Sequence, residues 1–169
     1  MMHAATSLAT ERLVLRQPDL RDLAPYTAYC ASERAKFVGG PFDSVKAFDK
    51  LCAMIGHWTL RGYGRYTITR GDTSIGHVGP LGIDDSQVPE FTWTLWDGAH
   101  EGHGYATEAA RAVQAHLFDD LGWPAMIIRI MPDNHGSRRI ADRLGARLTD
   151  EAAPDWYEGA LTYRLGEAA

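Results

Sequence analysis

The chain has 169 residues, of which 45% are hydrophobic and 23% are charged, and its formal net charge is −5. That length suits one domain over residues 1–169, and the acidic balance argues against a nucleic-acid-binding protein, which needs a basic face. No apolar run approaches the ~20 residues of a membrane span, and the first ten residues lack the basic start and apolar core of a signal peptide.

The N-terminal part of the chain is predicted to form a strand and then a helix. Residues 13–16 alternate between buried and exposed character, and this strand ends at Pro18. Asp19 is suited to cap a helix that runs to about Cys30.

A second helix and a hairpin follow. The helix begins near Asp43 or Ser44 and ends at the glycine-containing segment 62–64. Residues 66–70 and 73–78, separated by Gly-Asp, are typical of a β-hairpin. The helical spacing predicts a buried face on the helix, formed by Val45, Phe48, Cys52, Ile55 and Trp58.

The C-terminal half predicts strands that alternate with helices. Residues 90–96 form a strand, residues 105–121 a helix, and residues 125–131 a short apolar strand near the centre of a sheet. Ser137 to Leu144 form the last helix, and two closing strands cover residues near 146–149 and 161–165. The helix from Tyr105 is expected to bury Ala106, Ala110, Val113, Leu117 and Leu121, and Gly145 is expected at a left-handed helix C-cap. The order of elements indicates an α+β (mixed α/β) fold.

The segment from His100 to Ala109, His-Glu-Gly-His-Gly-Tyr-Ala-Thr-Glu-Ala, joins a predicted strand to a predicted helix. Gly102 and Gly104 allow a sharp turn, and the first N–H groups of the helix form an anion site with its positive dipole end. A P-loop is excluded because no Gly-Lys pair exists in the chain. A dinucleotide-binding turn is disfavoured because Thr107 occupies the third glycine position.

This segment resembles the Gly-x-Gly-Tyr-Ala-Thr-Glu-Ala segment of the GCN5-related N-acetyltransferases (GNAT), in particular the branch that acetylates ribosomal-protein N-termini (RimJ/RimL-like). Three other segments agree in order along nearly the whole chain. They are Thr-Glu-Arg-Leu-Val-Leu-Arg at 10–16, Ser-Ile-Gly-His-Val-Gly at 74–79, and the Asn-x-x-Ser helix with Leu-Gly at 132–145. The resemblance implies a central, mostly antiparallel, twisted sheet with splayed middle strands, flanked by about four helices.

The resemblance also implies acetyl-CoA as cosubstrate and no metal. The pyrophosphate would lie on the N–H groups of the glycine turn, and the pantetheine arm would pair with residues 93–95, between the strands 90–96 and 125–131. The residues expected to bind acetyl-CoA are Trp93, Thr94, Leu95, His103, Gly104, Tyr105, Ala106, Thr107, Asn134, Ser137 and Arg139. Only one arginine of the cluster Arg138, Arg139 and Arg143 is expected to contact it, because a solvated helix face explains most of that cluster.

Two catalytic residues are expected. Glu90 shares a strand face with Thr92 and Thr94 and is the candidate base, although a solvated glutamate at a strand end fits equally well. Ser137 matches the family serine near the thiol and is the candidate proton donor, and a helix N-cap is an equally simple role for it. If Glu90 is not the base, Glu158 is the next candidate.

Several other residues have simpler interpretations or depart from the family. His100 and His103 are expected to be loop residues, since they lack metal-ligand spacing. Glu101 replaces the usual Arg, Gln or Trp and is expected to point to solvent. Ala141 occupies the position of a family tyrosine acid. Core packing is expected for Trp58.

The expected function is an N-acetyltransferase that transfers acetyl from acetyl-CoA to a primary amine, in a protein N-terminus or a small molecule, by direct attack in a ternary complex. The alternative is a non-catalytic acetyl-CoA-binding regulatory module of the same fold. Phe37, Glu90 and Trp156 are expected to contact the acceptor. With Cys30 and Cys52 as its only cysteines, the chain is expected in the cytoplasm, as a monomer or homodimer without nucleic-acid or membrane partners.

Overall fold

The computed structural model describes residues 3–167. Those residues form one sheet of eight strands in the order β1-β2-β3-β4-β5-β6-β8-β7 and four α-helices. The strands are β1 (Ser7–Ala9), β2 (Val14–Arg16), β3 (Tyr66–Arg70), β4 (Thr73–Leu81), β5 (Glu90–Leu95), β6 (Ala125–Ile130), β7 (Arg147–Leu148) and β8 (Leu161–Gly166). The helices are α1 (Leu23–Ala31), α2 (Ser44–Arg61), α3 (Tyr105–Ala115) and α4 (His135–Arg143).

The sheet is antiparallel except between its two middle strands. β5 and β6 run parallel and pair only where Glu90 faces Ile127, whose N–H donates to the carbonyl of Pro89 at 3.0 Å. Beyond that point the two strands diverge. The predicted mixed fold, with a mostly antiparallel sheet and splayed middle strands, is therefore confirmed.

The helix boundaries follow local signals in the sequence. The Asp19 carboxylate accepts the N–H of Arg21 and caps a short 3₁₀ turn that leads into α1. The Asp43 carboxylate caps α2, and Gly62 ends α2 with a φ of 71°. The left-handed glycine expected after α4 is also present, since Gly145 has a φ of 80°.

The predicted buried face of α2 is wrong except for Trp58. Val45 is 69% exposed and Phe48 is 51% exposed, while Cys52 and Ile55 also face outward. The residues that α2 buries are Ala47, Leu51, Met54 and Trp58. Both sets repeat with helical spacing, so periodicity does not choose between them. The small Ala47 side chain lies on the inner face, where α2 packs against α1.

The helix after the glycine turn changes geometry before it ends. The α-helical part stops at Ala115, and residues 116–120 form a π-helical turn in which the Leu121 N–H donates to the carbonyl of His116 at 3.1 Å. Ala106, Ala110, Val113 and Leu117 are buried as predicted. Leu121 follows this wider turn and is only half-buried, although it still packs against the large core.

The two faces of the sheet pack against different groups of residues. Odd-numbered residues of β5, such as Phe91, join a large core that includes Val113 of α3. Trp96, which follows β5, joins a second cluster with Tyr26 and Tyr29 of α1 and Met54 of α2. β5 therefore presents successive residues to two different environments. No helix within residues 3–167 has both the length and the apolar character that crossing a membrane requires.

Candidate active site

The glycine turn places unpaired N–H groups at the start of α3. Gly102 and Gly104 have φ values of 77° and 78°, a left-handed conformation that favours glycine. The carbonyl of Gly104 accepts the N–H of Glu108 at 3.0 Å, and no side chain caps the helix. The N–H groups of Tyr105, Ala106 and Thr107 have no partner among residues 3–167. This end of α3 fits an anionic group such as the expected pyrophosphate.

A groove of about 590 Å³ lies beside this turn. Arg12 pairs with Glu108 at 2.6 Å and lies over the Tyr105 ring, 4.6 Å from its centroid. The groove offers several guanidinium groups to a phosphate-bearing ligand. Its lining residues are Glu11, Arg12, Gly104, Thr107, Glu108, Arg111 and Arg143.

The structure separates the three arginines predicted as a cluster on the last helix. Arg138 donates to the hydroxyl of Tyr163 and to the carbonyl of Pro132, so its guanidinium is used within the fold. Arg139 is exposed and does not line the groove, whereas Arg143 does. Of these three arginines, only Arg143 lines the groove beside the glycine turn.

Glu101 is exposed, as expected, with 59% of its side chain accessible to solvent, and it also forms an ion pair. Its carboxylate pairs with Arg34 at 2.7 Å, and the same guanidinium donates to the carbonyl of Leu95 at 3.0 Å. Arg34 therefore connects the glycine turn to β5 and neutralises the carboxylate that had the wrong sign for a phosphate site. His103 is exposed, and its ring stacks on Tyr105 at 5.3 Å.

The diverging edge of β5 carries free main-chain groups. The Trp96 N–H donates to the carbonyl of Ile75, and antiparallel strands alternate the direction of successive residues. Trp93 and Leu95 therefore direct their N–H and C=O groups away from β4, while Thr94 directs its own toward β4. An extended arm can pair with the main chain of Trp93 and with the Leu95 N–H, whereas the Leu95 carbonyl already accepts from Arg34 and the Thr94 main chain is used within the sheet.

Glu90 lies where β5 and β6 diverge. Its side chain is 12% exposed, and Oε2 accepts a hydrogen bond from Arg129 of β6 at 3.0 Å. Oε1 has no hydrogen bond with any of residues 3–167. Burial raises the pKa of Glu90 above its usual value, even though the charge of Arg129 opposes that shift. This carboxylate is therefore not the solvated residue that one interpretation of the sequence expected.

Asn134 and Ser137 lie together at the start of α4. The helix begins two residues earlier than predicted because Asn134 is its N-cap, with Oδ1 accepting the N–H of Ser137 at 3.2 Å. Ser137 is therefore not the N-cap. Its hydroxyl has no hydrogen-bond partner among the described residues, and the side chain is half-buried. The amide nitrogen of Asn134 also stays free to donate.

The two predicted acceptor residues lie in different surroundings. Phe37 is half-buried, and its carbonyl accepts the hydroxyl of Tyr157 at 2.8 Å. Trp156 is 67% exposed and stacks in parallel on Tyr157, with ring centroids 5.6 Å apart. Burial, and then the charge of Glu90, raise the pKa of Tyr157. Tyr157 thus joins Phe37 to the surroundings of Glu90, whereas Trp156 points outward. Glu158 is exposed.

Sequence reasoning missed two residues of this site. Arg129, the partner of Glu90, is the one charged residue in the otherwise apolar segment 125–131, and that contrast was a usable signal. Tyr157 had no such signal, because only the fold brings residues 120 positions apart together.

Comparisons with known proteins agree with this geometry. Residues 12–147 match the family model described as an acetyltransferase (GNAT) domain. A crystal structure of an acetyltransferase from Agrobacterium tumefaciens str. C58 is 33% identical, with a TM-score of 0.86, and the match covers 99% of this chain and 98% of that one. A putative GnaT-family acetyltransferase from Bordetella pertussis is 27% identical, with a TM-score of 0.78 and coverage of 95% and 99%.

A third solved structure shares the fold at lower identity. It is a putative ribosomal-protein-serine acetyltransferase from Vibrio cholerae, 18% identical, with a TM-score of 0.79 and coverage of 98% of this chain and 100% of that one. The family model spans most of the chain, and the structure contains the glycine turn and the splayed strands at which the resemblance to that family places the cosubstrate. The chain belongs to the GNAT family and is an acetyl-CoA-dependent acetyltransferase.

Proposed function

We propose that this protein acetylates a primary amine, in a protein N-terminus or a small molecule, by direct attack in a ternary complex. The observation that carries the proposal is the partly desolvated carboxylate of Glu90, which lies at the point where β5 and β6 diverge. An amine acceptor must lose a proton to react, and a buried carboxylate with a free Oε1 and a raised pKa suits that task.

The cosubstrate supplies an activated acetyl group, and the chain supplies the contacts that hold it. The N–H groups of Tyr105, Ala106 and Thr107 face the pyrophosphate in this proposal. The main-chain groups of Trp93 and Leu95 hold the arm and direct a hydrogen-bond donor at the reacting carbonyl.

Arg129 orients the base, because its hydrogen bond to Oε2 leaves Oε1 as the available proton acceptor of Glu90. Two hydroxyl groups can donate a proton to the thiolate of coenzyme A at the end of the reaction. The Ser137 hydroxyl has no partner among residues 3–167, whereas the Tyr157 hydroxyl already donates to the carbonyl of Phe37. We therefore retain Ser137 as the proton donor.

The test is thiol release from acetyl-CoA in the presence of a panel of primary amines, with identification of the acetylated product. We expect release that depends on both the amine and the protein. A protein that binds acetyl-CoA but releases no thiol with any amine would contradict the proposal and favour the non-catalytic regulatory module.

A further inference from the structure

Arg65 is a desolvated cation without a partner in the described chain. It directly precedes β3, and its carbonyl accepts the indole N–H of Trp58 at 2.9 Å, which fixes the main chain. Its guanidinium forms no hydrogen bond or ion pair with any of residues 3–167. Burial lowers the pKa of Arg65 below its usual value. The side chain is half-buried, and a partly desolvated guanidinium without an acceptor is costly unless a ligand supplies one.

Lys50 of α2 brings a second unpaired cation to the same region. The side chain is half-buried, and its Nζ lies 4.4 Å from the centroid of the Phe42 ring. No carboxylate among residues 3–167 pairs with it. Burial, and then the charge of Lys46, lower the pKa of Lys50. Its preferred partner is therefore an anion that the described chain does not provide.

His77 of β4 adds a neutral donor. It is 7% exposed, and its Nδ1 accepts the indole N–H of Trp96 at 2.9 Å. An indole nitrogen only donates, so Nδ1 carries no proton and the neutral ring carries its proton on Nε2. That Nε2–H has no acceptor among residues 3–167. Burial, and then the charges of Arg65 and Lys50, lower the pKa of His77 to about 3, so the ring stays neutral near those cations.

These donors lie beside the proposed base. A Cβ on Gly79 of β4 would lie 2.9 Å from the Cα of Arg65, so only a glycine separates Arg65 from Thr92, the partner of Gly79 on β5. The charge of Arg65 also acts on Glu90, two residues before Thr92. Glu90 carries a single negative charge and pairs with Arg129, so it cannot neutralise Arg129, Arg65 and Lys50 together.

We propose that Arg65, Lys50 and the Nε2–H of His77 bind an anionic group of the acceptor, either a carboxylate or a phosphate, so that the substrate is an amine that also carries a negative charge. This inference rests on the proposed N-acetylation. Three donors that make no hydrogen bond to an acceptor among residues 3–167, two of them cationic, select an anion, and their position beside Glu90 keeps that anion on the same small molecule or chain end as the amine.

The experiment compares amines in matched pairs. α-Amino acids are tested against their decarboxylated amines, and phosphoethanolamine against ethanolamine. We expect the wild-type protein to prefer the anionic member by about 10- to 100-fold in kcat/KM, as charge-assisted hydrogen bonds imply. The pair with the larger preference shows whether the group is a carboxylate or a phosphate. Equal rates for the charged and neutral members would overturn the inference while leaving N-acetylation intact.

Variants assign the preference to these residues. In Arg65→Gln and in Lys50→Gln, the ratio between the anionic and the neutral member should fall toward one, while affinity for acetyl-CoA stays unchanged. Arg147→Gln removes the same charge from the exposed edge strand β7, which is separated from β5 by β6 and β8, and should keep the ratio. An unchanged ratio in the folded Arg65→Gln protein refutes the assignment.

A binding measurement covers the case in which no amine of the panel reacts. The anionic members of the pairs are added to the protein with coenzyme A bound, at constant ionic strength, and the shift in Tm is compared with that of Arg65→Gln. Stabilisation of the wild-type protein alone supports the anion site even if N-acetylation fails. Equal shifts in the two proteins refute it.

Discussion

The buried His77 should make the stability of this protein unusually sensitive to mild acid. Its ring packs against Tyr26 and Trp96, with centroids 6.2 Å and 6.0 Å away, and Nδ1 holds the Trp96 indole N–H. Protonation would place a second N–H against that indole donor and a positive charge near Arg65 and Lys50. The folded state therefore resists protonation of this ring.

The sign and size of the effect follow from linkage. The pKa of His77 falls from 6.5 to about 3 on folding, so the unfolded chain binds the proton first as the pH decreases. The stabilisation that the neutral His77 ring provides is complete at pH values above 6.5, its pKa in the unfolded chain. It is lost as the pH falls toward about 3, its pKa in the folded protein. Between about pH 7.5 and pH 5, this residue alone should remove about 2 kcal/mol from the free energy of unfolding.

His77→Asn isolates this contribution. Asparagine retains an acceptor for the Trp96 indole but does not titrate, so the variant should lose less stability than wild type over that pH range, by about 2 kcal/mol. Urea unfolding at a series of pH values measures the difference. His135→Asn, at an exposed position, is the control and should follow wild type. If the free energies of unfolding of His77→Asn and wild type change in parallel with pH, the ring is not held neutral and the reasoning fails.

Four further predictions concern the proposed chemistry and the cosubstrate. Glu90→Gln should reduce kcat/KM by up to ~10²-fold, most strongly at pH values where the amine is protonated but Glu90 is still ionised. Ser137→Ala should cost only ~10-fold, and normal turnover of Glu90→Gln at all pH values would move the base elsewhere. In wild type, the raised pKa of Glu90 predicts that the rate falls with decreasing pH at a higher pH than for an ordinary glutamate. Gly104→Val should weaken coenzyme A binding in calorimetry, because a branched residue is strained at a φ of 78°, whereas Gly122→Val introduces similar strain at a φ of 68° outside the site and should not. Acetyl-CoA should raise Tm more than ADP at equal concentration, and equal protection would favour a site for nucleotides alone.

The parts of the fold that local chemistry determines were predictable from the sequence. The caps at Asp19, Asp43 and Gly62 and the glycines at 102 and 104 act within a few residues, so the start of α3 could be inferred before its structure was known. The buried face of α2 could not, because two apolar stripes share one helical period and only packing against α1 distinguishes them.

The residues of the candidate site also differ in how far the sequence could predict them. The glycine turn is one continuous segment, so its uncapped N–H groups and their suitability for an anion could be inferred from the sequence alone. The surroundings of Glu90 involve Arg129 and Tyr157, which reach it only through strand pairing and a distant loop. The anion-binding group of Arg65, Lys50 and His77 likewise comes from separate elements, and no sequence spacing links them.

The alternation along β5 separates two tasks that share one strand. The main-chain groups of Trp93 and Leu95 face the diverging edge and have the same chemistry whatever their side chains are, while the side chains of Glu90 and Thr92 lie on the opposite face from the large core. Point mutations can therefore alter what the enzyme acetylates without changing its main-chain contacts. Insertion of a single residue would reverse both arrangements at once. This strand should consequently tolerate substitution during evolution but not a change in length.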